Sequence, residues 1–134
     1  MKKFIILILI CFAQNIFSQE VAKANKNNDE DQLYNTAGID IAPEFTGGIN
    51  NFRKFISQNY RVPKEKPASL KGKVFTTFII EKDGSLDNVK ILRDIGYGTG
   101  EETIRVLKLC PKWSPGKLKG KEVRVLYAIP IDVN

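Results

Sequence analysis

The clearest pattern in the chain is a switch between two hydrophobic periods. In "PEFTGGINNFRKFISQNY", Ile49, Phe52, Phe55 and Ile56 recur at the spacing of one helical face, and Pro63 and Pro67 bar its continuation. The next stretch, "GKVFTTFII", alternates. Val74, Thr76, Phe78 and Ile80 fall on one side and Phe75, Thr77 and Ile79 on the other, which predicts a strand covered on both faces. "KDGS" predicts a hairpin turn, and "LDNVKILR" returns with Leu86, Val89 and Ile91 apolar. That spacing slips by one position, as a β-bulge would require. "GYGTGEETIRVLKLCPKW" predicts a second helix with Thr99 as N-cap and Glu102 completing a capping box. Its inner face runs through Ile104 and Leu107 to Cys110, and Pro111 stops it. "EVRVLYAIPI" closes the chain as a strand, with Val123, Val125, Tyr127 and Ile129 alternating against Arg124, Leu126 and Ala128. The predicted order is helix, strand, strand, helix, strand. These elements form an α+β domain: a three-stranded antiparallel sheet with both helices on one face.

The ends change this picture. "MKKFIILILICFAQNIFSQ" has two lysines, an apolar run from Phe4 to Ala13, and small Ser18 before Gln19. That is the pattern of a secretory signal peptide over residues 1–18, and the run is about half the roughly 20 residues of a membrane span. An uncleaved inner-membrane anchor facing the periplasm is the alternative. Lipidation at Cys11 is disfavoured by Ile10, which stands where a small residue is needed. Residues 19–42, with "VAKANKNNDEDQLYN", hold few large apolar side chains and are expected to form a disordered leader. The folded domain is then 43–134. Loss of Lys2 and Lys3 with the signal lowers the formal net charge from +6 to about +4. The residual excess is concentrated in Lys112, Lys117, Lys119 and Lys121, a turn suited to anionic partners. Export argues against nucleic acid.

Candidate chemistry is sparse. The chain has no histidine, which removes the commonest general base and the most usual metal ligand. The mature part would keep one cysteine, Cys110, so it can form no internal disulfide. Without a histidine beside it, Cys110 reads as a buried thiol. Glu101 and Glu102 are adjacent and point apart on a helix, so they suit its N-terminal dipole. Asp83 and Asp87 flank the hairpin; turn chemistry accounts for Asp83 more simply than calcium does. "GYGTG" matches neither a dinucleotide fingerprint nor a phosphate loop. Trp113 reads as a core aromatic anchoring the lysine-rich loop, with an exposed contact residue as the other reading. No catalytic residue, metal or cofactor is expected.

"PEFTGGINNF", "NYRVP", "GKVFTTFIIEKDGSLDNVKILRDIG", "KWSPGK" and "GKEVRVLYAIPI", in this order and spacing, resemble the TonB C-terminal domain in the form found in Bacteroidetes-type bacteria. Thr46 stands where that form carries a proline. The resemblance implies a periplasmic αββαβ domain that takes part in transmembrane transport and nutrient uptake. It implies binding of an extended segment of outer-membrane receptors, the TonB box, as an added strand. The implied gripping edge is Val123, Arg124, Val125, Leu126, Tyr127, Ala128 and Ile129, with Asn59 and Tyr60 contacting the segment ahead of Pro63. Lys121, Arg124 and Pro130 are the residue types that guard such an edge against aggregation. The leader is too short to span the periplasm as a full energy transducer does, so a soluble or loosely anchored recognition module is expected. A self-associating envelope-assembly module, homodimeric through its edge strands and without a transport role, is the alternative.

Overall fold

Five strands and two helices account for most of the residues that the computed structural model describes, 31–134. The expected signal peptide over 1–18, Cys11 and residues 19–30 of the expected leader lie outside the described residues. The elements are β1 (Leu33–Asn35), a 3-10 turn (Thr36–Gly38), α1 (Ile49–Asn59), β2 (Gly72–Ile80), β3 (Leu86–Arg93), α2 (Thr99–Lys108), β4 (Gly116–Leu118) and β5 (Lys121–Val133).

The sheet order is β1-β5-β2-β3, with β4 pairing β5 as well. The expected strands are all present, and β5-β2 and β2-β3 pair antiparallel. The sheet is nevertheless larger than three strands, and it is mixed, because β1 runs parallel to β5. The expected disorder up to residue 42 is therefore corrected from Leu33 onward. Leu33, Tyr34 and Asn35 lie in register with Arg124, Val125 and Leu126. Downstream, Ile41 exchanges two backbone hydrogen bonds with Lys117, and Glu44 exchanges two with Ser114. Leu33–Asn134 forms one compact unit.

The β2–β3 turn follows its sequence. Gly84 has φ +88°, Asp83 Oδ1 accepts from the Ser85 amide and hydroxyl, and the Glu81 amide donates to Ser85 O at 2.8 Å. The slip in β3 is a bulge at Asn88, whose φ of +50° lets two residues face one on β2. It returns Leu86, Val89 and Ile91 to the same face. A second irregularity, near Leu92, leaves that side chain exposed. β2 is fully covered on one face only: Val74, Thr76, Phe78 and Ile80 are buried, whereas on the other face Ile79 is buried and Phe75 is exposed.

Both helices pack on the face carrying Val74, Phe78, Ile80, Ile129 and Ile131, through Phe52 and Ile56 of α1 and Val106 and Leu107 of α2. Ile49, assigned to the inner face of α1 by its spacing, remains exposed. Thr99 is the first helical residue of α2 and not its cap. Gly98, at φ +79°, takes the cap position, and the Thr99 hydroxyl donates to Gly96 O at 2.7 Å. Glu102 faces across to α1 instead of back along its own helix. Its carboxylate accepts from the Arg61 amide at 2.8 Å and from Arg105, which also donates to Asn59 O. Trp113 is a core residue, its ring 5.0 Å from Phe52, 5.3 Å from Tyr127 and 5.7 Å from both Phe45 and Phe78. The Trp113 amide donates to Gly84 O at 2.9 Å, which ties the β2–β3 turn to the loop ahead of β4.

Candidate peptide-binding edge

β5 is thirteen residues long because its alternating sequence runs uninterrupted from the turn before it to the end of the sheet. That turn is a two-residue connection, Lys119 and Gly120, with φ of +52° and +77°, the conformation of a type I′ hairpin. The Lys119 amide donates to the Asp40 carboxylate at 2.8 Å. That bond uses the Lys119 backbone and not its ammonium group. Lys112 lies 3.6 Å from Asp83 in a solvent-exposed pair.

The expected gripping stretch, Val123–Ile129, divides in two. Val123 pairs with Gly116 of β4. Arg124, Val125 and Leu126 pair with β1, and Val125 and Leu126 pair with β2 on their other flank. The Arg124 guanidinium is held by Glu81 at 2.9 and 3.0 Å. No foreign strand can add at Arg124–Leu126 while β1 stays. From Tyr127 to Val133, β5 pairs with β2 alone among the described residues. The unoccupied flank is therefore shifted toward the C-terminus. Pro130 is compatible with this, since a residue without an N–H is tolerated in a strand where one flank faces solvent.

α1 overhangs this flank. Between them lies a groove of about 360 Å³, walled on the helix side by Phe52, Arg53, Ile56, Ser57 and Tyr60 and on the strand side by Ile129, Pro130, Ile131 and Asp132. Val62, Lys73 and Asn134 close its far end. Tyr60 lines the groove. Its hydroxyl donates to Thr99 O at 3.0 Å, and burial, the larger cause, raises its phenol above the ordinary value. Asn59 does not line the groove: its side chain donates back to Phe55 O at 2.8 Å, within α1. Burial likewise raises the Tyr127 hydroxyl, and the Arg53 guanidinium nearby opposes that rise. Arg53, Ser57 and Asp132, which line the groove, carried no signal in the sequence. Helical spacing was informative about the buried face of α1, but the polar face gave no sign that a strand edge lay beneath it.

The groups weighed for chemistry are placed as follows. Cys110 is half-buried, and burial pushes its thiol up to about 12, so at neutral pH it is protonated and a poor nucleophile. The Trp113 indole N–H beside it opposes that rise, although it makes no hydrogen bond of normal geometry. Asp83 is held below the usual carboxylate range, first by the Ser85 hydroxyl. Asp87 accepts from the Asn88 amide. Asp83 serves the β2–β3 turn and Asp87 the bulge in β3.

The family model for the Gram-negative bacterial TonB protein C-terminal matches residues 63–133. The solution structure of the Helicobacter pylori TonB C-terminal domain is similar at 26% identity and a TM-score of 0.46, over 64% of this chain and 91% of that one. Comparison with curated proteins gave no match. The matched residues run from Pro63 through the loop, the β2–β3 hairpin, α2 and β4 to the last residue of β5, just over half of the chain. By that match the chain belongs to the TonB C-terminal domain family.

Proposed function

We propose that this protein is a periplasmic recognition module that binds an extended segment of an outer-membrane receptor, in transmembrane transport, and that it does no chemistry of its own. The segment adds as a strand along Tyr127–Val133, and its alternate side chains enter the groove beneath α1. Main-chain hydrogen bonds to the open flank supply affinity, and the groove supplies selectivity. The observation that carries this reading is the flank of β5 beyond Leu126, which pairs with β2 on one side only and lies under an overhanging helix. Membership of the family supports the receptor as partner. Among the described residues no helix is long and apolar enough to cross a membrane.

The test is a titration of the isotope-labelled chain with a synthetic TonB-box peptide, followed by amide NMR. Shifts are expected at Tyr127, Ala128, Ile129, Ile131 and Asp132 and at Arg53 and Ser57. Changes confined to Val123–Leu126, or to the opposite edge at β3, would overturn the assignment of the binding edge.

A further inference from the structure

Both helices lie on one face of the sheet, and among the described residues no element covers the other. Alternation puts Phe75, Thr77 and Ile79 of β2 on that second face, and register sets Arg93 and Pro130 beside Phe75 and Lys90 and Ala128 beside Thr77. Ile79 is buried there, but Phe75 is 43% exposed and Leu126, on the same face of β5, is 42% exposed. On the β3 side, Thr76 pairs with Ile91 and Phe75 with Arg93. Leu92 is left between them without a partner, 66% exposed. The charges of this face are unevenly matched. Arg124 is held by Glu81, and Lys73 lies 3.7 Å from Asp132 in a solvent-exposed pair. Lys90 and Arg93, both exposed, form no ion pair among the described residues. The remaining carboxylate, Asp87, stands opposite Ile79, toward the other end of β3, and accepts from the Asn88 amide.

We infer that this bare face docks on an anionic lipid surface, with Phe75 and Leu92 entering the boundary between headgroups and acyl chains and with Lys90 and Arg93 meeting the lipid phosphates. Peripheral binding combines buried apolar area with attraction to anionic headgroups. The two requirements meet here on neighbouring strands: Arg93 is the cross-strand neighbour of Phe75, about 5 Å away between backbones, and Lys90 is one row further along. Their long stems let the charged ends stay at the headgroups while the apolar groups go deeper. A helix of a protein partner fits this face less well. Thr77 interrupts the apolar strip between Phe75 and Ile79 that such a helix would pack on, whereas a lipid boundary adapts to separate apolar points. Docked in this way, the chain turns α1 and α2 away from the lipid, and the open flank of β5 runs along the membrane. The inference does not depend on what that flank binds.

The experiment uses residues 19–134, because the apolar run Phe4–Ala13 would bind lipid by itself and the compact unit Leu33–Asn134 contains the core cluster. Binding is read by co-sedimentation with phosphatidylcholine vesicles containing about 30% phosphatidylglycerol. It is expected at low ionic strength, should weaken as salt is raised, and should be slight on phosphatidylcholine alone. Lys90→Glu/Arg93→Glu should weaken it about tenfold or more. Lys119→Glu/Lys121→Glu makes the same change in net charge on the β4–β5 hairpin and should cost less than about threefold. Leu92→Ser should weaken it about threefold without changing its salt dependence. Circular dichroism would check that the variants remain folded. Equal losses in the two charge-reversed chains overturn the assignment of the face, since any basic surface would then serve. A Leu92→Ser chain that binds as wild type does overturns the apolar contact. Wild type that ignores anionic vesicles, or that binds soluble polyglutamate through Lys90 and Arg93 in their place, overturns lipid as the occupant.

Discussion

Gly84 shows how one residue joins two parts of the fold. It sits at φ +88° in the β2–β3 turn, where a side chain is strained, and a Cβ built there would lie 1.9 Å from the Trp113 carbonyl oxygen. The turn thus needs glycine twice over, for its own conformation and for the approach of the Trp113 loop. Trp113 in turn contacts Phe45, Phe52, Phe78 and Tyr127. Displacing it would loosen the aromatic cluster under α1 and the beginning of the open edge together. Gly84→Ala is expected to cost more than about 2 kcal/mol, read as a shifted midpoint in urea unfolding. A loss below about 0.5 kcal/mol, the range of a neutral surface change, would show that the contact is not structural.

At the level of elements, α1 is fastened to α2 by a small polar clamp. Glu102 is nearly buried, with 13% of its side chain exposed, and accepts from Arg105 and from the Arg61 amide, while Arg105 reaches Asn59 O at 2.7 Å. The Arg105 hydrogen bonds, first among the causes, hold the Glu102 carboxyl below its ordinary value. A carboxyl depressed in the folded state contributes stability above its unfolded pKa, near 4.3, and that contribution fades as pH falls through the lower folded value. Glu102→Gln should therefore melt below wild type at neutral pH, and the difference should shrink in acid, below about pH 4. A gap that is constant with pH would mean that the charge is immaterial. Sequence alone reached the existence of both helices, the β2–β3 hairpin, the bulge and β5, because each carries a period or a turn signal over several residues. It missed β1, whose Leu-Tyr-Asn is too short for a period to appear, and β4, whose Lys119-Gly120 turn lacks the usual Asn or Asp. It also misread Thr99 and Glu102 as partners in a local box. The tertiary partners Arg61 and Arg105 took the carboxylate, and no local pattern announces that.

For the whole molecule, the chief hazard is β5 itself. A thirteen-residue strand with an open flank is a template for any other chain, including a second copy. Three features shorten that template. β1 occupies the flank at Arg124–Leu126, Pro130 offers no N–H in the middle of the remainder, and α1 overhangs what is left. The same devices that leave room in the groove for the proposed receptor segment thus argue against symmetric pairing of two β5 strands, each of which would bring its own overhanging helix. The chain is therefore expected to be monomeric. Tyr34→Pro removes a donor from β1 without touching the bonds of Ile41 or Glu44, and should free the flank from Arg124 onward. By sedimentation velocity over a range of concentrations, wild type should sediment as one monomeric species and Tyr34→Pro should self-associate. In hydrogen exchange the amides of Arg124–Leu126 should lose protection at low concentration and regain it as the variant associates. Monomeric behaviour of both chains, with unchanged exchange, would mean that β1 does not guard the edge; equal association of both would mean that the overhanging helix fails to prevent pairing.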